Sequence, residues 1–517
     1  MSNLSLARRS KNGRLWWLSL LLLAGLQPLA AETVNRNDGA LWRPRFALPA
    51  IVALDSPANR QFTAEIKCPA SATGWSVTIS NDLRAWKCPV VSAVYATINR
   101  GTGPGWRLTA IVPTNTPPEL FTLVVSCSEN ISVQNQSVSV TPAFASDFYV
   151  LHITDEQIVN ELHTDPSGQY WHMVGTWEEM KWMQEPVNLI NPRFVIVTGD
   201  QIDFNGALDG WNNWVNWGYA PKGKRLFSRQ ETIDLENRLS RLYKDCHQGY
   251  RVPYVETPGN HDVAPADKAL LGSTIRWHPI SAGIYEEQFG QRTYSFRMGD
   301  FYVLMHDWTD AALKNWAADD YRASLADNSV RYRLIGQHFN NDQALIPSAC
   351  DLMLIGHGHT TATPQSIPYY IYEDGPSFKY GTTGFFNFRR NPNGWTCDQT
   401  VSPRNTTKDV WPLFTANGVT KRVRSIPTDA MNLATNSVTI INDLPEEFYD
   451  GRVRFVLPKG SYPSANNGVV LAQYDVPDAA RTAVLVRVDI PASSSITVSI
   501  PTGRGGSALR SAAASPQ

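Results

Sequence analysis

The sequence predicts a central α/β domain with a β domain before it and a smaller β domain after it, and three observations carry that prediction. Between residues 148 and 385 short apolar runs alternate with stretches of helical spacing, the grammar of a sheet sandwiched between helices. Before 146 and after 436 the runs are separated by turn residues and no helical period intervenes. Four polar clusters in the middle section each follow an apolar run, the position at which strand ends present side chains to a site. At 517 residues the chain is too long for one core, and two to four domains is the expectation.

Residues 1–31 read as a leader: Arg8, Arg9, Lys11 and Arg14 precede the apolar run 15–26, and Ala30-Ala31 follow. Arg8-Arg9 fits a twin-arginine signal poorly, so a general secretion signal is expected. The run falls short of the roughly 20 apolar residues a membrane span needs, and no later stretch approaches that length. The mature protein is therefore expected to be exported, secreted or periplasmic. Export makes Cys68, Cys88, Cys127, Cys246, Cys350 and Cys397 candidates for disulfides, with fifteen full pairings open. No Cys-x-x-Cys occurs, which argues against a thiolate cluster.

Residues 33–145 are β throughout, with strands expected near 62–66, 75–79, 91–98, 106–112, 120–125 and 133–140. With Trp75 and Trp86 between Cys68 and Cys127, this predicts an immunoglobulin-like sandwich. The central domain, 146–427, opens on the strand 148–153. A helix over 173–190, a strand at 194–197, a helix marked by Leu235, Leu239 and Leu242, and a strand at 252–255 come next. A β pair spans Met298-Gly299-Asp300, a helix surrounds Trp316, and strands are expected at 332–335 and 352–355. Residues 386–427, rich in Pro, Asn and Thr, read as an irregular excursion. Alternation returns from 438, predicting a β domain over 428–503, and 504–517 reads as a disordered tail.

Composition excludes some partners. With 46 basic and 47 acidic residues there is no electrostatic footprint for nucleic acid or an anionic membrane surface. The 17 tryptophans suit a globular chain with aromatic-lined surfaces.

The four clusters are Asp155-Glu156-Gln157, Gly199-Asp200-Gln201-Ile202-Asp203, Gly259-Asn260-His261-Asp262 and Gly356-His357-Gly358-His359; His338 adds a fifth position. They supply carboxylates, imidazoles and amide oxygens without thiolate, a donor mixture that suits two divalent ions such as manganese, iron or zinc. His152 lies inside the first strand and reads as a satisfied core residue. Trp211, Trp214 and Trp217 are expected to pack between loop and core.

In their order these clusters resemble the calcineurin-like metallophosphoesterase superfamily, whose pattern is Asp-x-His, Gly-Asp-x-x-Asp, Gly-Asn-His-Asp/Glu, a lone His, then Gly-His-x-His. The resemblance covers roughly residues 148–385 and implies a metallophosphoesterase-like β-sandwich core flanked by helices. Carried over position by position, it implies that Asp155, Gln157, Asp200 and His359 hold one metal while Asp200, Asn260, His338 and His357 hold the other, with Asp200 bridging. Such a pair, about 3.5–4 Å apart, clamps phosphate oxygens and acidifies a water for in-line attack. His261 would protonate the leaving oxygen and Asp203 would orient it. One position departs from the pattern: Gln157 stands where most members carry His, and its carbonyl oxygen is the weaker ligand. Ile158 occupies the position at which purple acid phosphatases, a related branch, carry Tyr. The expected activity is phosphate-ester hydrolysis, leaning to diesters. The alternatives are a phosphomonoesterase with the same site, or a surface-binding protein whose site has decayed and whose β domains dock to a surface or glycan.

Overall fold

The computed structural model describes residues 35–36, 40–98, 103–158, 176–202, 229–263, 278–339, 350–357, 365–366, 370–372, 384–398, 414–416, 419–477 and 479–501. In chain order the central elements are β1 (Phe148–Ile153), α1 (Thr176–Ile190), β2 (Phe194–Val197), α2 (Arg229–His247), β3 (Tyr254–Glu256), α3 (His278–Gln288), β4 (Tyr294–Met298), β5 (Phe301–His306), α4 (Ala311–Ala326), β6 (Tyr332–Gln337), β7 (Leu352–Leu354), β8 (Gly384–Asn391) and β9 (Gly394–Asp398).

Every residue of β1 and β2 is buried. A strand without a polar face must be covered on both sides. Here the two coverings differ in kind. One five-stranded sheet runs β3-β2-β1-β8-β9, with β1, β2 and β3 parallel and β8 and β9 antiparallel. A second sheet runs β4-β5-β6-β7, continued by Tyr370–Tyr372 and Gln365–Ser366, with β5, β6 and β7 parallel. Phe148, Val150, Phe194 and Ile196 pack across to Phe301, Val303, Met305 and Leu334, so the sheets lie face to face. The rings of Phe148 and Phe388 stack at 5.1 Å, and Phe301 meets Phe148 edge-on at 5.3 Å. The alternate residues Tyr149, Leu151, Ile153 and Val197 turn the other way, towards Met180, Met183 and Val187 of α1, Leu239 and Tyr243 of α2 and Tyr285 of α3. On the outer face of the second sheet, Tyr302, Leu304 and Ile335 meet Ala317 and Tyr321 of α4. Asp310 caps α4, accepting from the amides of Ala312 at 2.8 Å and Leu313 at 3.4 Å.

The layers are thus helix, sheet, sheet, helix, the β-sandwich core flanked by helices that the resemblance implies, and they correct only the single sheet between helices read from the alternating runs. A uniformly apolar strand reads the same whether a helix or another sheet covers it. A second correction concerns the first part of residues 386–427: up to Asp398, β8 and β9 form a hairpin of the first sheet, not an irregular excursion, while 399–413 and 417–418 lie outside the described residues. Its turn is Asn391-Pro392-Asn393-Gly394, with Gly394 at φ 138 and the Asn393 amide bonded to Asn391 Oδ1 at 2.9 Å. The alternation Phe386-Asn387-Phe388-Arg389, followed by Asn393-Gly394, carried that signal.

The N-terminal strands form sheets of six and four strands. Phe62, Ala64, Ile66 and Leu108 of one pack against Val77, Ile79, Leu123 and Val125 of the other, so this part is a β-sandwich. Two three-stranded sheets follow the central core: Val423–Ile426, Ser437–Asn442 and Ser494–Ser499 in one, and Phe448–Pro458, Val469–Val476 and Arg481–Ile490 in the other. They share a core with α1, through Val423, Val438, Phe448 and Val453. Arg454, 1 % exposed, ties the ends of the chain together: its Nη2 donates to Asp82 Oδ1 at 2.6 Å and its Nη1 to Glu119 Oε1 at 2.8 Å. Among the described residues no helix is long and apolar enough to cross a membrane.

Candidate metal centre

The parallel strands β1, β2, β3, β6 and β7 all hand their C-terminal ends to one edge, where the polar clusters begin. The first two clusters continue side by side beyond their strands. The amide of Asp155 donates to Gly199 O at 3.0 Å, Gln157 to Asp200 O at 2.8 Å and Ile158 to Gln201 O at 3.0 Å, and Ile158 bridges Ile202. Asp155 (φ 55), Gln157 (φ 48), Asp200 (φ 57) and His357 (φ 81) all have left-handed backbone. Each such residue costs about 1–3 kcal/mol unless its surroundings enforce it, and strain of this kind gathers at functional sites.

Asp200 is fully buried. Its Oδ1 accepts from the His261 amide at 2.8 Å, while Oδ2 lies 3.3 Å from His338 Nε2 and 3.8 Å from His261 Nε2. Burial works against its charge, but the His338 and His261 rings outweigh it and hold the carboxyl well below the usual carboxylate range. His338 Nδ1 faces the Thr198 carbonyl at 2.7 Å and so carries the ring proton, which leaves Nε2 as the donor nitrogen. Burial lowers the basicity of His338, yet the Asp200 carboxylate prevails and pushes it up to about 9, so Nε2 also holds a proton, which a cation bound there would displace. Asn260 Oδ1 stands 3.1 Å from His338 Nε2 and 3.0 Å from His357 Nδ1. The donor atoms of Asp200, His338 and His357 all lie within 4.8 Å of one another. Asp155, also buried, accepts through Oδ2 from Thr154 Oγ1 at 2.8 Å and from the His357 amide at 3.1 Å. Gln157, 2 % exposed, donates from its side-chain Nε2 to Asp200 Oδ2 at 3.4 Å, so its carbonyl oxygen would face an ion only with the amide turned over.

Seven of the nine residues singled out from sequence can therefore be placed, and they meet at one strand edge: Asp155, Gln157, Asp200, Asn260, His261, His338 and His357. Asp203 and His359 lie outside the described residues, as do Trp211, Trp214 and Trp217. The residues fit divalent ions. The ligand atoms of Asp200, His338 and His357 lie within 4.8 Å of one another with Asn260 Oδ1 beside them, and the set is of the O and N type that manganese, iron and zinc take.

His152 stands apart from these candidate ligands. It is fully buried, and its Nε2 pairs with Thr198 Oγ1 at 2.8 Å. Ile158, where a Tyr would mark the purple branch, is buried in the core beneath the site.

Sequence reasoning missed three features. Asp262 accepts from the amides of Gly259 at 2.8 Å and Ile202 at 2.9 Å, stapling the third cluster to the second. Burial and the charge of Asp200 push its carboxyl up to about 8. Phe339 lies against His357 with ring centroids 3.7 Å apart, and Trp308 packs at a tilt behind Phe339 at 4.3 Å. Gly259 and Gly199 permit the loops to touch: a Cβ on Gly259 would stand 2.5 Å from the Asp200 amide nitrogen, and one on Gly199 2.7 Å from His338 Nδ1. The glycines and Asp262 were visible inside the motifs; their contacts were not.

No protein-family model and no curated protein matches the chain. Among solved structures it is similar to a purple acid phosphatase from yellow lupin seeds, at 15% identity and TM-score 0.31 over 58% of this chain and 56% of that one. A dimetal phosphatase from Danio rerio matches at 12% identity and TM-score 0.29, over 48% of this chain and 95% of that one. A sulfate thiohydrolase from Thermus thermophilus matches at 12% identity and TM-score 0.24, over 49% and 56%.

Proposed function

We propose that the chain is an exported, metal-dependent phosphoesterase that hydrolyses phosphodiesters. The observation that carries this reading is the convergence of Asp200, Asn260, His338 and His357 on one point at the strand edge, with Asp155 and Gln157 beside them. Asp155, Gln157, Asp200 and His359 would hold one divalent ion and Asp200, Asn260, His338 and His357 the other. When bound, two such ions neutralise phosphate oxygens and acidify a water.

The remaining work belongs to the chain's own groups. Thr198 fixes the His338 proton on Nδ1, so Nε2 is the nitrogen that would hold the ion, after giving up its own proton. His261 is fixed at its backbone by Asp200, while its ring remains a quarter exposed, with Nε2 on the Asp200 side of the site. A ring so placed can give a proton to a leaving alkoxide and regain it from solvent. Asp203 is assigned the orienting role for that ring. The N-terminal sandwich we read as immunoglobulin-like, a module for docking the enzyme to a surface or glycan.

The test is hydrolysis of bis-p-nitrophenyl phosphate against p-nitrophenyl phosphate by metal-stripped full-length protein, with manganese, zinc, iron or magnesium restored. Faster metal-dependent turnover of the diester is expected. Preference for the monoester would move the assignment to a phosphomonoesterase, and no turnover of either with any metal would favour a binding protein with a decayed site.

A further inference from the structure

We infer that Cys68 and Cys127 form a disulfide that pins the two sheets of the N-terminal sandwich together. Cys68 follows Gln61–Ile66 in the four-stranded sheet, and Cys127 follows Leu120–Ser126 in the six-stranded one. Their sulfurs lie 3.5 Å apart although 59 residues separate them in sequence. A disulfide draws sulfurs to about 2.05 Å, so closure needs about 1.5 Å of approach, within reach of side-chain rotation.

The surroundings hold both residues in that relation. The Cys127 amide donates to Asn130 O at 2.9 Å. The segment after Cys68 is bonded back to the segment after Cys127, with Ser128 N to Thr73 O at 2.9 Å and Thr73 N to Ser128 Oγ at 3.1 Å. Trp106 Nε1 donates to Pro69 O at 2.9 Å, and Trp75 packs against Trp106 at 5.3 Å, so the pair sits in its own apolar cluster with Ala72 under an aromatic lid. Each cysteine is only 8 % exposed. Burial and the neighbouring Cys127 thiol push the Cys68 thiol up to about 12, which suppresses its thiolate once the fold is closed. With both thiols closed off by the fold, an oxidant reaches them before the sandwich seals.

The chemistry balances with a disulfide oxidant, for which oxidised glutathione serves. One cysteine thiolate attacks the oxidant's S–S bond and expels a glutathione thiolate, leaving a mixed disulfide. The second cysteine thiolate then attacks the protein sulfur and expels the other glutathione. Two protons leave the cysteines and two electrons pass to the oxidant.

The test uses the full chain, unfolded and reduced, then refolded with oxidised and reduced glutathione. Free thiols are blocked before digestion and mass spectrometry. A peptide pair linked through Cys68 and Cys127, lost on reduction, is expected. The double variant Cys68→Ala/Cys127→Ala should melt about 5–10 °C below the oxidised parent, and it should match the parent once the parent is refolded reduced. Recovery of Cys68 and Cys127 as separately blocked thiols, or linked to other cysteines, overturns the inference. So does a parent whose melting temperature is the same oxidised and reduced.

Discussion

Replacing Gly259 by Ala should disable the metal centre without removing a ligand. The added Cβ would stand 2.5 Å from the Asp200 amide nitrogen and 2.9 Å from its Cγ, and closer still to Oδ1. Carbon contacts settle near about 3.5–4.0 Å, so Asp200 or the third cluster must give way by about 1 Å. Asp200 cannot turn aside freely, because its main chain is tied to Gln157 and its Oδ1 to the His261 amide. A displacement of about 1 Å in a positioned group costs on the order of 10²-fold in rate, and overpacking adds about 1–3 kcal/mol of instability. The control is Gly283→Ala, inside α3, where a new Cβ meets nothing within 4 Å. It should leave metal binding intact and stabilise by about 0.5–1 kcal/mol. Calorimetric titration with manganese, a thermal melt and kcat/KM on bis-p-nitrophenyl phosphate read all three effects. If Gly259→Ala bound manganese and turned over like the Gly283→Ala control, the packing argument for the site would be wrong.

Three further outcomes follow from the geometry. His261→Ala should retain metal but lower kcat by ~10²- to 10⁴-fold, with a smaller loss on p-nitrophenyl esters than on alkyl esters; equal losses on both would remove the proton-donor role. Gln157→His should shift the metal preference towards zinc and Gln157→Ala should release one ion on dialysis, whereas unchanged zinc and manganese isotherms for both would show that Gln157 is not a ligand. Burial depresses His152 from its ordinary 6.5 to about 3, so its neutral form stabilises the fold above pH 6.5 and that stability drains away as the pH falls towards 3. Between pH 7 and 5 the loss is about 2 kcal/mol from this residue, and denaturant melts of His152→Leu should show a correspondingly flatter acid limb; an acid limb as steep as the parent's would refute it.

The polar corners were legible because chemistry fixes residue type there. Asp200, Asn260, His338 and His357 are the kinds of donor a divalent ion takes, at the ends of runs too apolar to be anything but buried strands. The layering was less legible. Phe148 and Tyr149 are adjacent aromatics in one buried run, yet one meets a second sheet and the other a helix, and sequence alone does not say what covers each face. Helix α3 was not anticipated, since Pro279 and Gly283 weaken its helical pattern. Arg454 reads as a surface cation on a strand, and its burial follows only from Asp82 and Glu119, more than 300 residues away in the chain. The Asp262 staple was hidden for a related reason: an aspartate after His261 reads as a turn exit until Ile202 and Gly259 are seen to donate to it.

The central claim, that this site works with two divalent ions, is tested most directly by titrating metal-stripped protein with manganese while following hydrolysis of bis-p-nitrophenyl phosphate. Activity should start at background and rise to a plateau at two equivalents, and Asp200→Ala should neither bind two ions nor gain activity. Full activity in the metal-stripped protein, a plateau at one equivalent, or two ions still held by Asp200→Ala would contradict the account.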